Sequence, residues 1–168
     1  IENLWRATGS MDDLDTEDLC DRLFCLSLLQ AYNLTTQTIR LHDVLVDYLV
    51  GTEKERLPAL HGQFLDSYGL ARGQHPPTGE PYLWRHLAYH LVGAGREPIL
   101  RALLLDFDWL RAKLEAAEVT ALVADYHLLP GDADARLVGD ALRLSAHVLA
   151  RDPSQLPGQL LGRLLGFE

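Results

Sequence analysis

The chain is poor in cysteine and methionine, with two cysteines and one methionine among its 168 residues. Cys20 and Cys25 lie five positions apart, which suits neither a CxxC metal site nor a short-loop disulfide, so we expect two buried, reduced thiols. No apolar run approaches the roughly 18–20 residues that a membrane span requires. A secretory leader and an initiating methionine are also missing, and we expect a cytoplasmic piece of a longer protein.

Positive charge is the second shortage. The chain has 15 Lys and Arg against 24 Asp and Glu, a net charge of −9. Residues 1–50 hold nine acids against three arginines, or −6, and the remaining residues hold fifteen acids against twelve bases, or −3. Such a surface repels a phosphate backbone. In the segment Thr16–Gln30, Arg22 is the only basic residue that could contact a DNA groove. A DNA-binding winged helix is therefore disfavoured, although it stays one of the open classes.

Catalytic motifs are the third absence. The sequence has no GxxxxGK[ST] phosphate loop, no GxSxG nucleophile turn and no evident pair of catalytic carboxylates. His86 and His90 are four apart and could share a zinc ion on a helix, but Leu87 stands where a metalloprotease HExxH motif needs its glutamate. We therefore predict no catalytic residue, no metal site and no enzyme activity in the chain itself, and we interpret the two histidines as packing residues.

The segment "TQTIRLHDVLVDYL", Thr36–Leu49, changes its period in the middle. Its first half alternates like a strand, and its second half repeats like a helix with one apolar face, at Val44, Leu45, Tyr48 and Leu49. His42 and Asp43 lie at the change. Taken alone, a histidine there is most simply a helix cap or a core residue.

The first 51 residues are typical of helix, hairpin, helix. We expect Asp15 to cap a helix, with Asp18 completing a box-like pair of carboxylates. The strands "LLQAYNL" and "TIRLH" are then joined by a turn at Thr35–Gln37. This order matches the second half of a winged-helix unit, which the helix after His42 closes near Gly51.

The rest of the chain is almost purely helical. A helical stretch from about Glu53 to Leu70, with Pro58 near its start or kinking it, leads into the Gly- and Pro-rich loop Ala71–Pro81. Further helices are predicted at Tyr82–Gly93, Pro98–Asp106, Asp108–Ala117, Val119–Leu129, Ala133–Ala150 and Ser154–Leu165. Their short connections favour antiparallel neighbours. We predict a mainly α fold with three parts: residues 1–51 as the C-terminal part of a winged-helix domain, 52–81 as a connecting helix and loop, and 82–168 as an irregular superhelical arm.

Apolar spacing also predicts which arm side chains are buried. The predicted core residues are Trp84, His86, His90, Phe107, Trp109, Leu110 and Leu114.

Several segments in order resemble one family. They are "TEDLCDRLFCLSLL", "IRLHDVLVDYL", "YLWRHLAYHL", "LLLDFDWLRAKLE" and "ALVADY". Together they are similar to the NB-ARC branch of the STAND signalling ATPases, of the apoptotic protease-activating factor type. In that family a winged-helix domain ends in a short histidine motif, LHD or MHD, and a helical arm then leads into a WD-repeat propeller.

The resemblance implies a regulatory role. It implies that His42 contacts the β-phosphate of ADP held by a neighbouring nucleotide domain, with Asp43 capping the helix start or orienting the imidazole. His42 is then expected to be at least partly exposed. ADP or ATP would be the cofactor of the parent protein, and the intramolecular partners would be the nucleotide domain and the propeller. The parent would oligomerise on activation, with neither nucleic acid nor membrane as a partner. A nucleotide-independent scaffold that holds a partner protein stays open as the alternative.

The acidic first segment generates a prediction about nucleic acid. The chain should not shift duplex DNA in an electrophoretic assay at physiological salt, because it lacks a Lys/Arg stripe to replace condensed counterions. A salt-dependent complex with sub-micromolar affinity would restore the transcription-factor class.

Overall fold

The structure is a computed structural model that describes residues 5–6, 9–33 and 38–165. These residues form nine α-helices, one short 3₁₀ helix and a two-stranded antiparallel sheet. The predicted mainly α fold with one small hairpin is confirmed. None of the helices among these residues is long and apolar enough to cross a membrane.

The chain divides into two compact units, Ile1–Tyr68 and Gly69–Glu168. This division falls inside the segment 52–81 that the sequence assigns as a connection. The predicted boundaries after residues 51 and 81 stay predictions.

The first unit has the predicted order of helix, hairpin and helix. Its elements are α1 (Asp13–Cys25), β1 (Leu29–Asn33), β2 (Thr38–Leu41), α2 (Asp43–Thr52) and α3 (Leu57–Ser67). The predicted cap of α1 is wrong, because Asp12 is the N-cap and Asp15 is the third helical residue. The Asp12 side chain accepts from the Asp15 backbone N–H at 2.8 Å, and the Asp15 carboxylate accepts from the Asp12 N–H at 3.3 Å. Two carboxylates three residues apart thus form the capping box, three residues earlier in the chain than expected.

The hairpin has the predicted alternation. Strands β1 and β2 are antiparallel, with Leu29 opposite Leu41, and the register shifts between Leu29 and Ala31. Ile39 and Leu41 are half-buried, whereas Thr38 and Arg40 are exposed. The predicted turn Thr35–Gln37 lies outside the described residues.

The second unit is a series of helices. They are α4 (Pro81–Gly93), α5 (Glu97–Leu104), α6 (Phe107–Ala116), α7 (Val119–Tyr126), α8 (Ala133–Leu149) and α9 (Leu156–Leu164), with the 3₁₀ helix Pro153–Gln155 before α9. Aspartates begin two of them: Asp106 accepts from the Trp109 backbone N–H at 2.9 Å, and Asp132 accepts from that of Ala135 at 2.9 Å. Proline occupies the first turn of α4, α5 and α9, where its missing N–H costs no helical hydrogen bond.

Each helix of this unit packs against the next one along the chain. The large side chains that are fully buried here are leucines together with one tryptophan and one lysine: Leu70, Leu83, Leu87, Leu91, Leu100, Leu104, Trp109, Lys113, Leu122, Leu142 and Leu149. The predicted burial of Trp84, His90, Trp109, Leu110 and Leu114 is confirmed.

Two of the predicted core positions are wrong. His86 and Phe107 are exposed. Both sit at the edge of an apolar stripe, where spacing alone does not separate the buried side of a helix from its flank.

Helix α8 approaches α7 closely at Gly139. A Cβ atom at this position would lie 2.9 Å from Cβ and Cγ of Tyr126 in α7, nearer than real Cβ contacts occur. The Tyr126 ring has little room to move, because it is buried and its hydroxyl donates to the Leu104 carbonyl at 2.7 Å. Glycine at 139 therefore sets the distance between α7 and α8.

This contact predicts the cost of a single methyl group. Gly139→Ala should lower the free energy of unfolding by about 1–3 kcal/mol, since overpacking forces Tyr126 or the helix backbone to shift. The higher helix propensity of alanine, about 0.8–1 kcal/mol, recovers part of this loss. Urea denaturation followed by circular dichroism measures the net change.

Gly158 is the matched control, because it lies in α9 and a Cβ there would meet nothing within 4 Å. Gly158→Ala should stabilise the chain slightly or leave it unchanged. Equal effects of the two substitutions would contradict the close approach.

Candidate functional site at the junction of β2 and α2

His42 lies at the junction between strand and helix that the sequence predicts. Strand β2 ends at Leu41, and α2 begins at Asp43, with His42 as its N-cap residue. Its backbone is extended, with φ −66° and ψ 139°. The His42 carbonyl accepts the first helical hydrogen bonds, from the N–H groups of Leu45 at 2.9 Å and Val46 at 3.1 Å.

The His42 side chain is exposed and makes no capping hydrogen bond. The expected exposure of His42 is therefore confirmed, and this histidine is not a buried core residue. Asp43 is the first helical residue, not the cap, and its carboxylate lies at the positive end of the α2 dipole. The supporting role expected of Asp43 stays a prediction.

Helix α2 presents apolar side chains that the described residues do not cover. It contains no buried residue. Val44 is 79% exposed and Tyr48 is 67% exposed, while Leu45 is only half-buried. The predicted spacing is correct, but the apolar face it forms is open.

The junction has the chemistry of an anion contact. The first N–H groups of a helix have no partner within the helix and point outward from its N-terminus. An exposed imidazole N–H beside them supplies one further donor for an oxyanion. These donors are of the kind that bind phosphate oxygens.

The paired histidines of α4 belong to an aromatic cluster. The Tyr82 hydroxyl lies 3.0 Å from Nε2 of the buried His90, and the Tyr82 ring centroid lies 4.6 Å from that of His86. Partial desolvation, and then the charges of Lys113 and Arg85, lower the pKa of His86. Throughout residues 5–6, 9–33 and 38–165, no group of three or more His, Cys, Asp or Glu side chains is arranged to hold a metal ion.

The two cysteines differ in their surroundings. Both are free thiols, but Cys20 is buried and Cys25 is exposed. The prediction of two buried thiols is therefore correct for Cys20 and wrong for Cys25, which is the exposed last residue of α1. Desolvation, reinforced by the nearby Asp21 carboxylate, raises the pKa of Cys20 and makes its reactive thiolate rarer.

Comparison with known proteins concerns mainly the helices that follow this junction. The sequence model described as the APAF-1 helical domain matches residues 57–156, more than half of the chain. The chain belongs to the APAF-1 helical domain family. The matched range begins with α3 and ends at the first residue of α9.

Apoptotic protease-activating factor 1 from several animals is similar to the chain. The rat and human proteins are each 29% identical to it over 157 residues, covering 84% of this chain and 12% of their own length. The zebrafish protein is 26% identical over 90 residues, covering 51% of this chain and 7% of its own. The chain thus spans about an eighth of the length of the rat and human relatives. The part matched by the family model is a helical domain of a signalling protein and not its nucleotide-binding domain.

The APAF-1 helical domain of this chain contains an ion pair that periodicity did not predict. Lys113 of α6 donates to Oδ2 of Asp125 in α7, and both side chains are almost completely buried. The Lys113 ammonium also lies 5.8 Å from the centroid of the Trp109 ring, which stacks on Trp84 at 5.4 Å. In the sequence, Lys113 stands directly before Leu114 on an apolar face. This position indicates that the lysine needs a buried partner.

Burial shifts the two charges of this pair in opposite directions. Desolvation lowers the pKa of Lys113 and raises the pKa of Asp125, and the mutual attraction of the two groups opposes both shifts without cancelling them. Each group therefore needs the other to stay charged inside the domain.

The pair predicts a non-additive response to mutation. Lys113→Met alone should lower the free energy of unfolding by about 3–5 kcal/mol, because it leaves Asp125 buried without a counter-charge. The combined change of Lys113→Met with Asp125→Leu should cost much less than the single change, and it can be neutral. Thermal and urea unfolding of the double variant and of the two single variants, Lys113→Met and Asp125→Leu, analysed as a double-mutant cycle, checks this.

The solvent-exposed ion pair between Arg111 and Asp108 serves as the control. Arg111→Met should change stability by less than about 0.5 kcal/mol. A Lys113→Met variant as stable as Arg111→Met would contradict the structural role of the buried pair.

Proposed function

We propose that this chain is the regulatory part, a winged-helix unit and a helical arm, of an NB-ARC signalling ATPase of the STAND class. Its place in the APAF-1 helical domain family supports the arm. The order of α1, β1, β2 and α2 supports the winged-helix unit. In this proposal the chain performs no chemistry, and it holds the parent protein in an ADP-bound resting state.

The exposed His42 at the N-cap of α2 is the observation that carries the proposal. An imidazole used only for folding would be packed, or its ring would hydrogen-bond to the start of its own helix, and the His42 ring does neither. In the resting parent its N–H would donate to the β-phosphate of ADP held by the neighbouring nucleotide domain. The positive end of α2 would favour the same phosphate oxygens.

The energy of this contact is sufficient for a switch. A hydrogen bond to a charged group contributes about 1.5–3 kcal/mol. A bias of this size changes the ratio of closed to open states by roughly ten- to a hundredfold. The loss of the contact when ADP leaves would therefore favour the open state without any change in the fold of the chain.

The arm would connect this switch to a sensor. Contacts between successive helices run from α4 to α9, so a force applied at one end of the arm is passed on through packed side chains. In the proposed parent the arm leads to a WD-repeat propeller, as it does in the family that the chain resembles. The parent would be cytoplasmic, would use ADP and ATP, and would assemble when the closed state is released.

A helical scaffold that needs no nucleotide is the second candidate. The uncovered apolar face of α2 favours it, because such a face can hold a partner protein. An ADP titration of the parent distinguishes the two functions, because only the switch requires His42.

In the intact parent, His42→Ala should weaken the preference for the ADP-bound closed state by about 1.5–3 kcal/mol. Spontaneous assembly or signalling should rise by a factor of roughly 10 or more. The fold should hardly change, because the exposed ring is lost without a cavity. Calorimetric titration with ADP, together with size-exclusion chromatography of the ligand-free parent, measures both effects.

His147, an exposed histidine on α8, is the matched control. His147→Ala should leave the affinity for ADP and the assembly of the parent unchanged. A His42→Ala variant that binds ADP as tightly as the His147→Ala variant would exclude the phosphate contact.

A further inference from the structure

An open groove runs between α8 and α9. Its volume is about 630 Å³, and its floor on α8 includes Leu137, Ala141 and Leu144 at helical spacing. Leu144 is more than half exposed, and so are Leu161, next to the lining residue Gly162, and Leu165, directly after α9. Exposed leucines along an apolar groove are the usual features of a surface that receives an amphipathic helix.

The uncompensated charge at this groove is positive. Asp134 and Asp140 line it, but each carboxylate already pairs with an arginine of its own unit. Arg136 and Arg163 line it too, and within the described residues neither guanidinium has a carboxylate within 4.0 Å. Arg163 donates from Nε to the Ser145 hydroxyl at 2.6 Å, which holds its guanidinium beside the groove.

The outward face of α1 has the complementary character. Leu14 is 68% exposed at one end of this face, and Phe24 is 50% exposed near the other. Glu17, Asp18 and Asp21 lie between them and are exposed. The opposite face of α1 holds the buried Thr16 and Cys20, so the acidic face is the one available to a partner.

We propose that the groove between α8 and α9 of one copy binds the acidic face of α1 of a second copy. Two apolar anchors would enter the groove, and the carboxylates between them would meet Arg136 and Arg163. The contact joins two different surfaces, so it either forms twice in a reciprocal two-fold dimer or repeats head to tail in a ring or an open chain. The contact requires neither nucleotide nor His42, so it stands apart from the proposed switch.

Sedimentation velocity of the 168-residue chain tests this proposal. The mean sedimentation coefficient should rise with concentration up to about 0.5 mM, the range of a weak interface. High salt should weaken the association, because opposite charges select the register of the contact. Arg136→Glu should raise the dissociation constant about tenfold. Leu144→Glu should have a similar or larger effect, because it places a charge in the groove.

The matched control is Arg151→Glu, which makes the same charge change at an exposed arginine outside the groove. It should leave the association unchanged. Adding Asp18→Arg and Asp21→Arg to a chain with Arg136→Glu and Arg163→Glu should restore association, since the two surfaces then carry exchanged charges. Circular dichroism confirms that each variant is folded.

Three results would overturn the proposal. The chain could remain monomeric at every concentration. Its association could be insensitive to both Arg136→Glu and Leu144→Glu. The association could instead be abolished by Tyr48→Glu, which would assign it to the uncovered face of α2.

Discussion

The buried contact between Lys113 and Asp125 is the constraint on which the packing of the arm depends. Either charge alone would be costly inside a core of leucine and tryptophan, so α6 and α7 must pack in the register that brings both together. That register places Tyr126, the next residue along α7, where its hydroxyl reaches the Leu104 carbonyl and its ring meets Gly139. One ion pair thereby fixes α5, α7 and α8 relative to one another.

The helices of the arm could be predicted from the sequence because their ends carry strong local signals. Proline in a first turn, aspartate at a cap and glycine after a helix act within a few residues of the chain. The start of α1 shows the limit of such signals, because both Asp12 and Asp15 are good caps and only the folded backbone selects between them. Other features depend on neighbouring helices, so the local sequence pattern does not predict them. They are the exposure of His86 and Phe107 and the partner of Lys113.

The position of the candidate site was also predictable, since a change from period two to the helical period marks the junction at His42. Its exposure is confirmed by the structure. The proposed role of His42 rests on the family resemblance as well as on this geometry, because a histidine and a helix N-terminus supply only some of the donors that a bound phosphate needs. In the proposal, the nucleotide domain of the parent supplies the others.

The rate at which ADP leaves the parent protein tests the central claim most directly. Fluorescent ADP would be released by competition from the nucleotide-binding part of the parent, once with this regulatory part attached and once without it. The proposal predicts that the attached part slows release by roughly tenfold or more, because it adds a hydrogen bond to the bound phosphate. Equal release rates from the two proteins, both shown to be folded, would contradict it.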